Sequence, residues 1–434
     1  MSKNDKILAK DRQYVVRAWH SVAEPVAVMD AKGAIVRDYD GKEYIDCNAG
    51  QFCMNIGYSH PAVIKAVQDQ VTKVMQLGAH QTTQINVDYA EMIAGLAPGD
   101  LKKLHFCASG VEAVNVAIKM AKAYTGRYEI LAFKNSYHGI TGPGLAASGT
   151  TSYKKSFGPL EHGYLYAPCP YCYRCPLDKT YPACDLRCAD EVEKIIKGEG
   201  ISAVSEGSLA AVITEPLQCR GGIIPPKGWM TRVREICTRN GLLLIDDEVQ
   251  AGFGRTGAMF CCNHENVVPD ILTIAKNFGG GIPAGATLTR ADIAEKFHAA
   301  AAPTFAGNVM ACAAGMAATK VLVEEKLWEN AAAMGKRFTE GFYAMKNARY
   351  VGDVRFQGLM GGPEMVHDKK TKGPFTAKEM AAIKEELTRL GVMLTYSGPK
   401  GNVFRIQPVL SITAEQVDQV IAAFDQAVST VLKH

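Results

Sequence analysis

Apolar and polar positions divide the chain into stretches with different periods. VMDAKGAIVRDYDGKEYIDC alternates the two classes around Asp30-Ala31-Lys32-Gly33 and Asp40-Gly41. That is the period of half-buried strands with turn residues between them, and it predicts a meander of hairpins. From about His60 the alternation stops. PAVIKAVQDQVTKVM, VEAVNVAIKMAKAY and GWMTRVREICTRN carry helical spacing. KLHFCAS and YEILAF read as strands, and the later strands LAAVITEP, LLLID, ILTIAK and GATLT are read as continuous apolar runs without alternation. Strands buried on both faces of a parallel sheet have this composition, so the middle of the chain is predicted to be α/β. After about Met310 helices dominate: ACAAGMAATKVLVEEKL, residues 327–346 and a last one from Ala414, with strands in DVRFQGLMGGPEMV and GVMLTYSG. The expected division is an N-terminal segment 1–60 packing with the small domain, a large domain 61–310, and a smaller α+β domain 311–434. No repeat or low-complexity segment interrupts it.

Composition narrows the function classes. A chain of 434 residues is long enough for about two domains of roughly 150 residues each. Net charge is +4 with no Lys/Arg run, which speaks against nucleic acid as a partner. The start, MSKNDKILAKDRQ, lacks the apolar centre of a secretory signal. Nothing approaches the roughly 18 consecutive apolar residues of a spanning helix, so no membrane role is expected. A cytoplasmic location is the expectation, with the 13 cysteines as thiols. Cys169, Cys172, Cys175, Cys184 and Cys188 crowd into PCPYCYRCPLDKTYPACDLRC. Their spacing admits a zinc or iron–sulfur site. Yet two separate Cys-x-x-Cys pairs are not present, and no histidines cluster beside them. A thiol-rich loop packed at a surface is the favoured reading, and no metal is expected.

Candidate chemistry sits at the strand ends. GLLLIDDEVQ places Asp246, Asp247 and Glu248 directly behind an apolar run, and ILTIAK ends another run on Lys276. In open α/β sheets ligands bind beyond the carboxyl ends of the strands, so Asp247 and Lys276 should share a crevice. On those two residues alone a structural ion pair is equally good. Other strand ends tilt the balance. In FCASGVEAV, Ser109 and Glu112 have capping-box spacing, and Gly110 lets the backbone approach an anion at a helix N-terminus. Tyr137 and His138 follow YEILAF, offering a ring to stack, and Glu215 ends LAAVITEP. Together these suit one planar, phosphate-bearing, carbonyl-reactive cofactor, pyridoxal phosphate (PLP).

At this point the chain resembles a known family. D-E-V-Q-x-G-F-G-R-T-G, A-K-x-x-G-G-G-x-P, x-S-G-x-E-A, Y-H-G and E-P-x-x-x-x-G-G look like the class III (ω-amino acid) aminotransferases of PLP fold type I. The resemblance implies a large domain with a mostly parallel, seven-stranded-type sheet flanked by helices, plus a smaller α+β domain. It implies Lys276 as the Schiff-base lysine and Asp247 as partner of the pyridine nitrogen. Gln250 would bond the ring hydroxyl, Val249 would pack under the ring, and Tyr137 would stack above it. Ser109, Gly110 and Val111 would hold the phosphate end, with His138 also at the cofactor. Thr304, in PTFAGN, would reach the phosphate of a neighbouring subunit, which implies a homodimer or a tetramer built from one. Arg405, in NVFRIQP, would grip a substrate carboxylate. Glu215 would pair with Arg405 and swing away, letting one site take both amines and oxo acids such as pyruvate or 2-oxoglutarate.

Several positions depart from the family pattern. Val111 stands where Thr or Ser is usual, and Asn308-Val309 replaces Asn-Pro. Arg220 is an extra cation in PLQCRGG, read either as a solvated loop residue or as a reader of an acidic substrate. Gln51, in NAGQFC, resembles the glutamine of dialkylglycine decarboxylase and is a substrate-binding candidate. The expected activity is amino transfer from an amino acid or ω-amine to a 2-oxo acid. The alternatives on the same scaffold are a racemase, an ammonia- or phospho-lyase, or a decarboxylating transaminase. No G-x-S-x-G is present to support a serine hydrolase.

Overall fold

The computed structural model describes residues 1–16, 26–78, 80–199, 207–298 and 303–432. The hairpin meander is present as β1 (Val28–Lys32), β2 (Ile35–Asp38) and β3 (Glu43–Asp46), paired antiparallel in that order. Ahead of it a helix, Lys3–Tyr14, opens on a capping box between Ser2 and Asp5 and buries none of its residues.

The large sheet contains β4 (Lys103–Cys107), β5 (Glu129–Phe133), β6 (Tyr164–Ala167), β7 (Leu209–Thr214), β8 (Leu243–Asp247), β9 (Ile271–Ile274) and β10 (Gly285–Thr289). Their spatial order is β4-β10-β9-β8-β7-β5-β6. Neighbours from β9 through β6 are parallel, but β10 runs antiparallel to both β9 and β4. GATLT therefore departs from the all-parallel reading of the apolar runs. A parallel return needs a crossover of a dozen or more residues, and the short link from Ile274 to Gly285 has no room for one. The edge strand β6, YLYA, was not expected; its aromatic residues stay half-buried and give no buried-strand signature.

Helices cover the sheet. Gly110–Thr125 starts at the cap Ser109, whose hydroxyl accepts the Glu112 N–H, and stops at Gly126 in the left-handed region (φ 68°). Its inner face, from Ala113 to Ala121, is buried with Ile130, Ala211, Ile213 and Ile245 of the sheet. The C-terminal part adds β11 (Val351–Gln357), β12 (Met360–Asp368), β13 (Gly373–Pro374), β14 (Val392–Met393), β15 (Thr395–Ser397) and β16 (Val403–Arg405). β14 joins the N-terminal meander, pairing parallel with β3 at Val392–Ile45 and Met393–Asp46. A further helix, Ala377–Arg389, carries a full capping box of Thr376 and Glu379.

Candidate active site

The carboxyl ends of the strands converge on a cavity of about 390 Å³. It is lined by Ser109, Gly110 and Val111 from the turn after β4, and by Tyr137 and His138 from the loop after β5. Glu215 follows β7, Asp247 ends β8 with Val249 and Gln250 just beyond it, and Lys276 follows β9. Gln51 closes one side. The structure thus brings eleven of the thirteen sequence-predicted residues to one space, as those names total. Arg405 is not among them. It lines an adjoining cavity of about 980 Å³, which shares Gln51, Tyr137, Gln250 and Lys276 with the first. Thr304 lines neither; it is exposed, and its carbonyl accepts from Gln76 Nε2 at 3.0 Å.

The three acids at the end of β8 separate by alternation. Asp247 faces the cavity side. Its Oδ2 is 2.7 Å from His138 Nδ1, and its Oδ1 accepts from Thr273 Oγ1 at 3.0 Å and Val249 N–H at 3.1 Å. His138 is itself fixed by its N–H on Ser148 Oγ, and its Nε2 is buried without a partner. Thr273 sits directly across the ladder from Asp247. The one polar residue inside ILTIAK is the signal that could have found it.

Asp246 and Glu248 are fully buried, and one carboxylate oxygen of each lies within 4.8 Å of the other and of Cys262 Sγ. Glu248 accepts the N–H groups of Cys261 (2.6 Å) and Cys262 (2.8 Å). Burial pushes both carboxyls up, Glu248 to about 7, and the repulsion between them raises Asp246 further. Ionising both carboxyls together is therefore harder than ionising either in water.

Glu215 does not pair with Arg405. Its Oε1 takes the Tyr137 N–H and its Oε2 the Cys219 N–H, both at 2.8 Å, so the turn residues satisfy it locally. Burial raises its carboxyl above the ordinary range. Arg405 instead lies over the Phe52 ring, 4.2 Å from its centroid. Burial likewise raises the Tyr137 phenol to about 12, and Tyr153 packs edge-on against that ring at 5.4 Å. Gln250 donates to Gln407 Oε1 at 2.9 Å. Val111 packs against two glycines: a Cβ at Gly139 would meet its Cγ2 at 2.3 Å and one at Gly144 at 2.9 Å. Its side chain fills a space that two glycines leave.

Backbone strain gathers at the same place. Ala49, Gly50, Gln51 and Phe52 all have positive φ (44°, 58°, 62° and 69°), a left-handed turn. Such geometry costs about 1–2 kcal/mol per non-glycine residue. Asp46 holds the turn, accepting from Asn48 N–H (2.7 Å), Gly50 N–H (3.3 Å) and the Tyr58 hydroxyl (2.6 Å). Lys276 is also left-handed, at φ 50°. The cysteine loop lies elsewhere, around a narrow cavity of about 10 Å³ lined by all five thiols. All 13 cysteines are free, and no three of the loop's thiols come within 4.8 Å of one another.

A sequence model described as aminotransferase class-III matches residues 16–428. The chain is 36% identical to the acetylornithine aminotransferase of Methanosarcina mazei over 428 residues, covering 98% of this chain and 96% of that one. It is 35% identical to the diaminobutyrate–2-oxoglutarate aminotransferase of Rhizobium meliloti over 418 residues, 93% and 88% of the two chains. Among solved structures, a thermostable (S)-enantioselective ω-transaminase from Thermomicrobium roseum superposes with a TM-score of 0.92 at 30% identity, covering both chains fully (100%). An amine transaminase from an uncultivated Pseudomonas species, solved in a PLP-bound form, gives 0.87 at 31% identity, covering 95% of this chain and 96% of that one.

Proposed function

The chain belongs to the class III aminotransferases, PLP-dependent enzymes of fold type I, and from that premise we propose that it transfers an amino group from an amino acid or ω-amine to a 2-oxo acid at Lys276. The observation that carries the assignment of residues is their convergence: a lysine, a fixed buried carboxylate and a helix N-terminus share one cavity.

The residues fit the cofactor. The first N–H groups of the helix Gly110–Thr125 have no acceptor within the helix and suit a phosphate. Ser109 Oγ accepts the Glu112 N–H at 3.3 Å, which leaves its O–H able to donate beside the backbone groups. Asp247 is locked by His138, Thr273 and the Val249 N–H, an acceptor pre-set for a protonated ring nitrogen. The unpartnered His138 Nε2 leaves one buried polar atom beside it for the same ligand. Val249 and Tyr137 supply apolar and aromatic walls, and Gln250 an amide.

When bound, PLP supplies a carbonyl carbon for the amine and a ring that draws an electron pair away from the substrate Cα. Lys276 Nζ anchors the cofactor and, once released, takes and returns the proton at Cα. Asp247 keeps the proton on the ring nitrogen. Arg405 binds the substrate carboxylate as a planar fork, and Gln51 flanks it at the junction of the two cavities.

The same reading extends to assembly. Thr304 lies outside its own chain's cavity, which supports a homodimer in which it serves the other copy; tetramers follow as dimers of that unit. No helix among the described residues is long and apolar enough to cross a membrane, and the free thiols support a cytoplasmic setting. The division at about residues 60 and 310 belongs to this proposal.

One observation favours a second reading. Gln51 is held in a costly left-handed turn at the cavity junction, and a residue so placed could orient a carboxylate for loss, as in a decarboxylating transaminase. Carbon dioxide release from a 2,2-dialkylglycine separates the two. The primary test is borohydride reduction of the holoenzyme followed by peptide mapping. Cofactor fixed on Lys276 supports the assignment, and a label on another lysine overturns it.

A further inference from the structure

The cysteine-rich loop takes no part in the chemistry above, yet something must hold it. From Cys172 to Asp185 no residue is buried, so the loop has no apolar core of its own. Asp178, Asp185 and Leu186 nonetheless keep left-handed backbone, at φ 51°, 46° and 59°. Small segments that cannot bury a core are usually fixed by disulfides or metals, and here every cysteine is a free thiol. Four thiols stand in two pairs at the ends of the loop. Cys172 and Cys175 bracket the 3₁₀ turn Cys172–Arg174, and Cys184 and Cys188 bracket the start of the helix Arg187–Ile196. The pairs are Cys-x2-Cys and Cys-x3-Cys, eight residues apart. Both fall within the spacing of structural zinc ligands, which tolerates more than Cys-x-x-Cys.

Folding brings the two pairs to one space. All four line the cavity of about 10 Å³, a volume that holds about one water-sized sphere. Lys179 and Arg187 line it as well, and no acid does among the described residues. Cationic neighbours and a helix N-terminus beside Cys188 favour thiolates over thiols. The fifth thiol is set apart by its partner: Cys169 Sγ donates to Gln218 Oε1 at 2.9 Å, so it keeps its proton. No three of the thiols come within 4.8 Å of one another, wider than the roughly 3.8 Å edge of a tetrahedron with Zn–S bonds of about 2.3 Å. Cys172, Cys175 and Cys184 are not buried, so rotation of their side chains can close that gap without moving packed groups.

We propose that Cys172, Cys175, Cys184 and Cys188 form a structural zinc site that ties the two ends of the loop together. Binding releases the thiol protons to solvent and leaves a closed shell with no open position for chemistry. Its role is mechanical. Arg174 Nε donates to Glu364 Oε1 at 2.6 Å and its Nη2 to the Lys372 carbonyl at 2.8 Å, while Lys372 Nζ donates to the Tyr173 carbonyl at 2.7 Å. Arg355, 3.0 Å from Glu364, in turn donates to the carbonyls of Gly221 and Gly222, next to Arg220 on the wall of the larger cavity. Zinc at the base of the loop fixes the residues that begin this chain of contacts.

The test reads metal, not turnover, so its result is independent of the amino-transfer reading. Holoenzyme grown with zinc and iron available is freed of loose ions by gel filtration and its metals are measured by plasma mass spectrometry, alongside Cys172→Ser, Cys184→Ser and Cys169→Ser. Wild type and Cys169→Ser should carry about one zinc per chain, and the other two variants at least about tenfold less. Two readouts on wild type serve even if the variants fail to fold. Iodoacetamide should modify the exposed Cys172 quickly only after a chelator has stripped the metal, and cobalt put in place of zinc should give the strong visible bands of a tetrahedral thiolate site. Zinc-free wild type whose Cys172 reacts at once overturns the proposal, as does iron with acid-labile sulfide or a disulfide among the four. Equal zinc in all three variants marks adventitious metal elsewhere and overturns it too.

Discussion

A methyl group added at Gly110 tests the geometry of the cofactor end most directly. The Cβ of Gly110→Ala would lie 2.8 Å from Val249 Cγ1, 3.3 Å from Val249 Cγ2 and 3.4 Å from Ala275 Cβ. Gly110 is the first residue of a regular helix, so the backbone accepts alanine and the helix gains a little in propensity. Overpacking of this kind costs about 1–3 kcal/mol. Val249 can escape only by moving, and it stands on the wall of the cavity. In the apoprotein that movement is cheap. With PLP present the same movement enters the ring's place, so the cost should surface as lost cofactor affinity, about 10- to 100-fold. Thermal stability of the apoprotein should change little. Val249→Ala removes both close contacts and leaves the 3.4 Å contact with Ala275, which is ordinary packing. The double variant should therefore recover most of the affinity lost by Gly110→Ala, beyond what the two single changes predict when added. The assay is reconstitution of apoenzyme with PLP, following half-saturation by absorbance. If Gly110→Ala binds PLP like wild type, or if Val249→Ala brings no recovery, the turn and Val249 do not enclose the cofactor as argued.

Three further outcomes follow from the same geometry. Asp247→Asn should retain most PLP binding but lower turnover by at least about a hundredfold, as losses of oriented active-site charge do; unchanged kcat would remove Asp247 from the mechanism. Asp246→Asn should flatten the pH dependence of stability. The folded carboxyls of Asp246 and Glu248 are raised above their unfolded values, Glu248 from 4.5 to about 7, so stability is fully present below about 4.5 and falls as pH rises through 7. The variant should gain on wild type by up to about 2 kcal/mol between pH 5 and 8 in urea unfolding, and parallel curves would contradict the raised carboxyls. Arg255→Met should destabilise the fold by about 3 kcal/mol, because the buried guanidinium donates to the carbonyls of Leu359 and Pro408 and to Asn55 Oδ1; a melting temperature at the wild-type value would contradict that role.

The fold was legible where burial leaves a simple pattern. Strands covered on both faces read as apolar runs, and the charges behind them located the cavity at their carboxyl ends. Alternation could even have separated the acids: in β8, Asp246 and Asp247 must point to opposite faces, and only Asp247 reaches the cavity. What the pattern hid was set by connection and by partners distant in sequence. The short link to β10 reverses that strand although its composition matches the parallel ones. The pairing of Glu215 with two turn N–H groups, rather than with Arg405, depends on where Tyr137 and Cys219 fall after folding. No spacing encodes that.

The residues that break local rules explain why the remainder of the site was harder to see. A left-handed turn over Ala49–Phe52 is the last conformation that composition would suggest, since only one of its four residues is glycine. It persists because Asp46 is buried and its carboxylate accepts from both Asn48 and Gly50, with Tyr58 closing the cluster. The strain has a spatial result: it sets Gln51 at the junction of the two cavities and lays the Phe52 ring under Arg405. Arg220 breaks a different rule, a half-buried cation without an acid among the described residues, and it is likewise supported by an aromatic ring. The strained turn and the two arginines therefore line the larger cavity, while the carboxylates of Asp247 and Glu215 in the smaller one are satisfied by hydrogen bonds. A scaffold that fixes its cofactor with settled bonds and leaves its unsettled groups facing the substrate keeps the chemistry constant while specificity rests on a few positions. On that division, changes at Gln51, Arg220 and Arg405 should alter which substrate is taken before they alter how PLP is held.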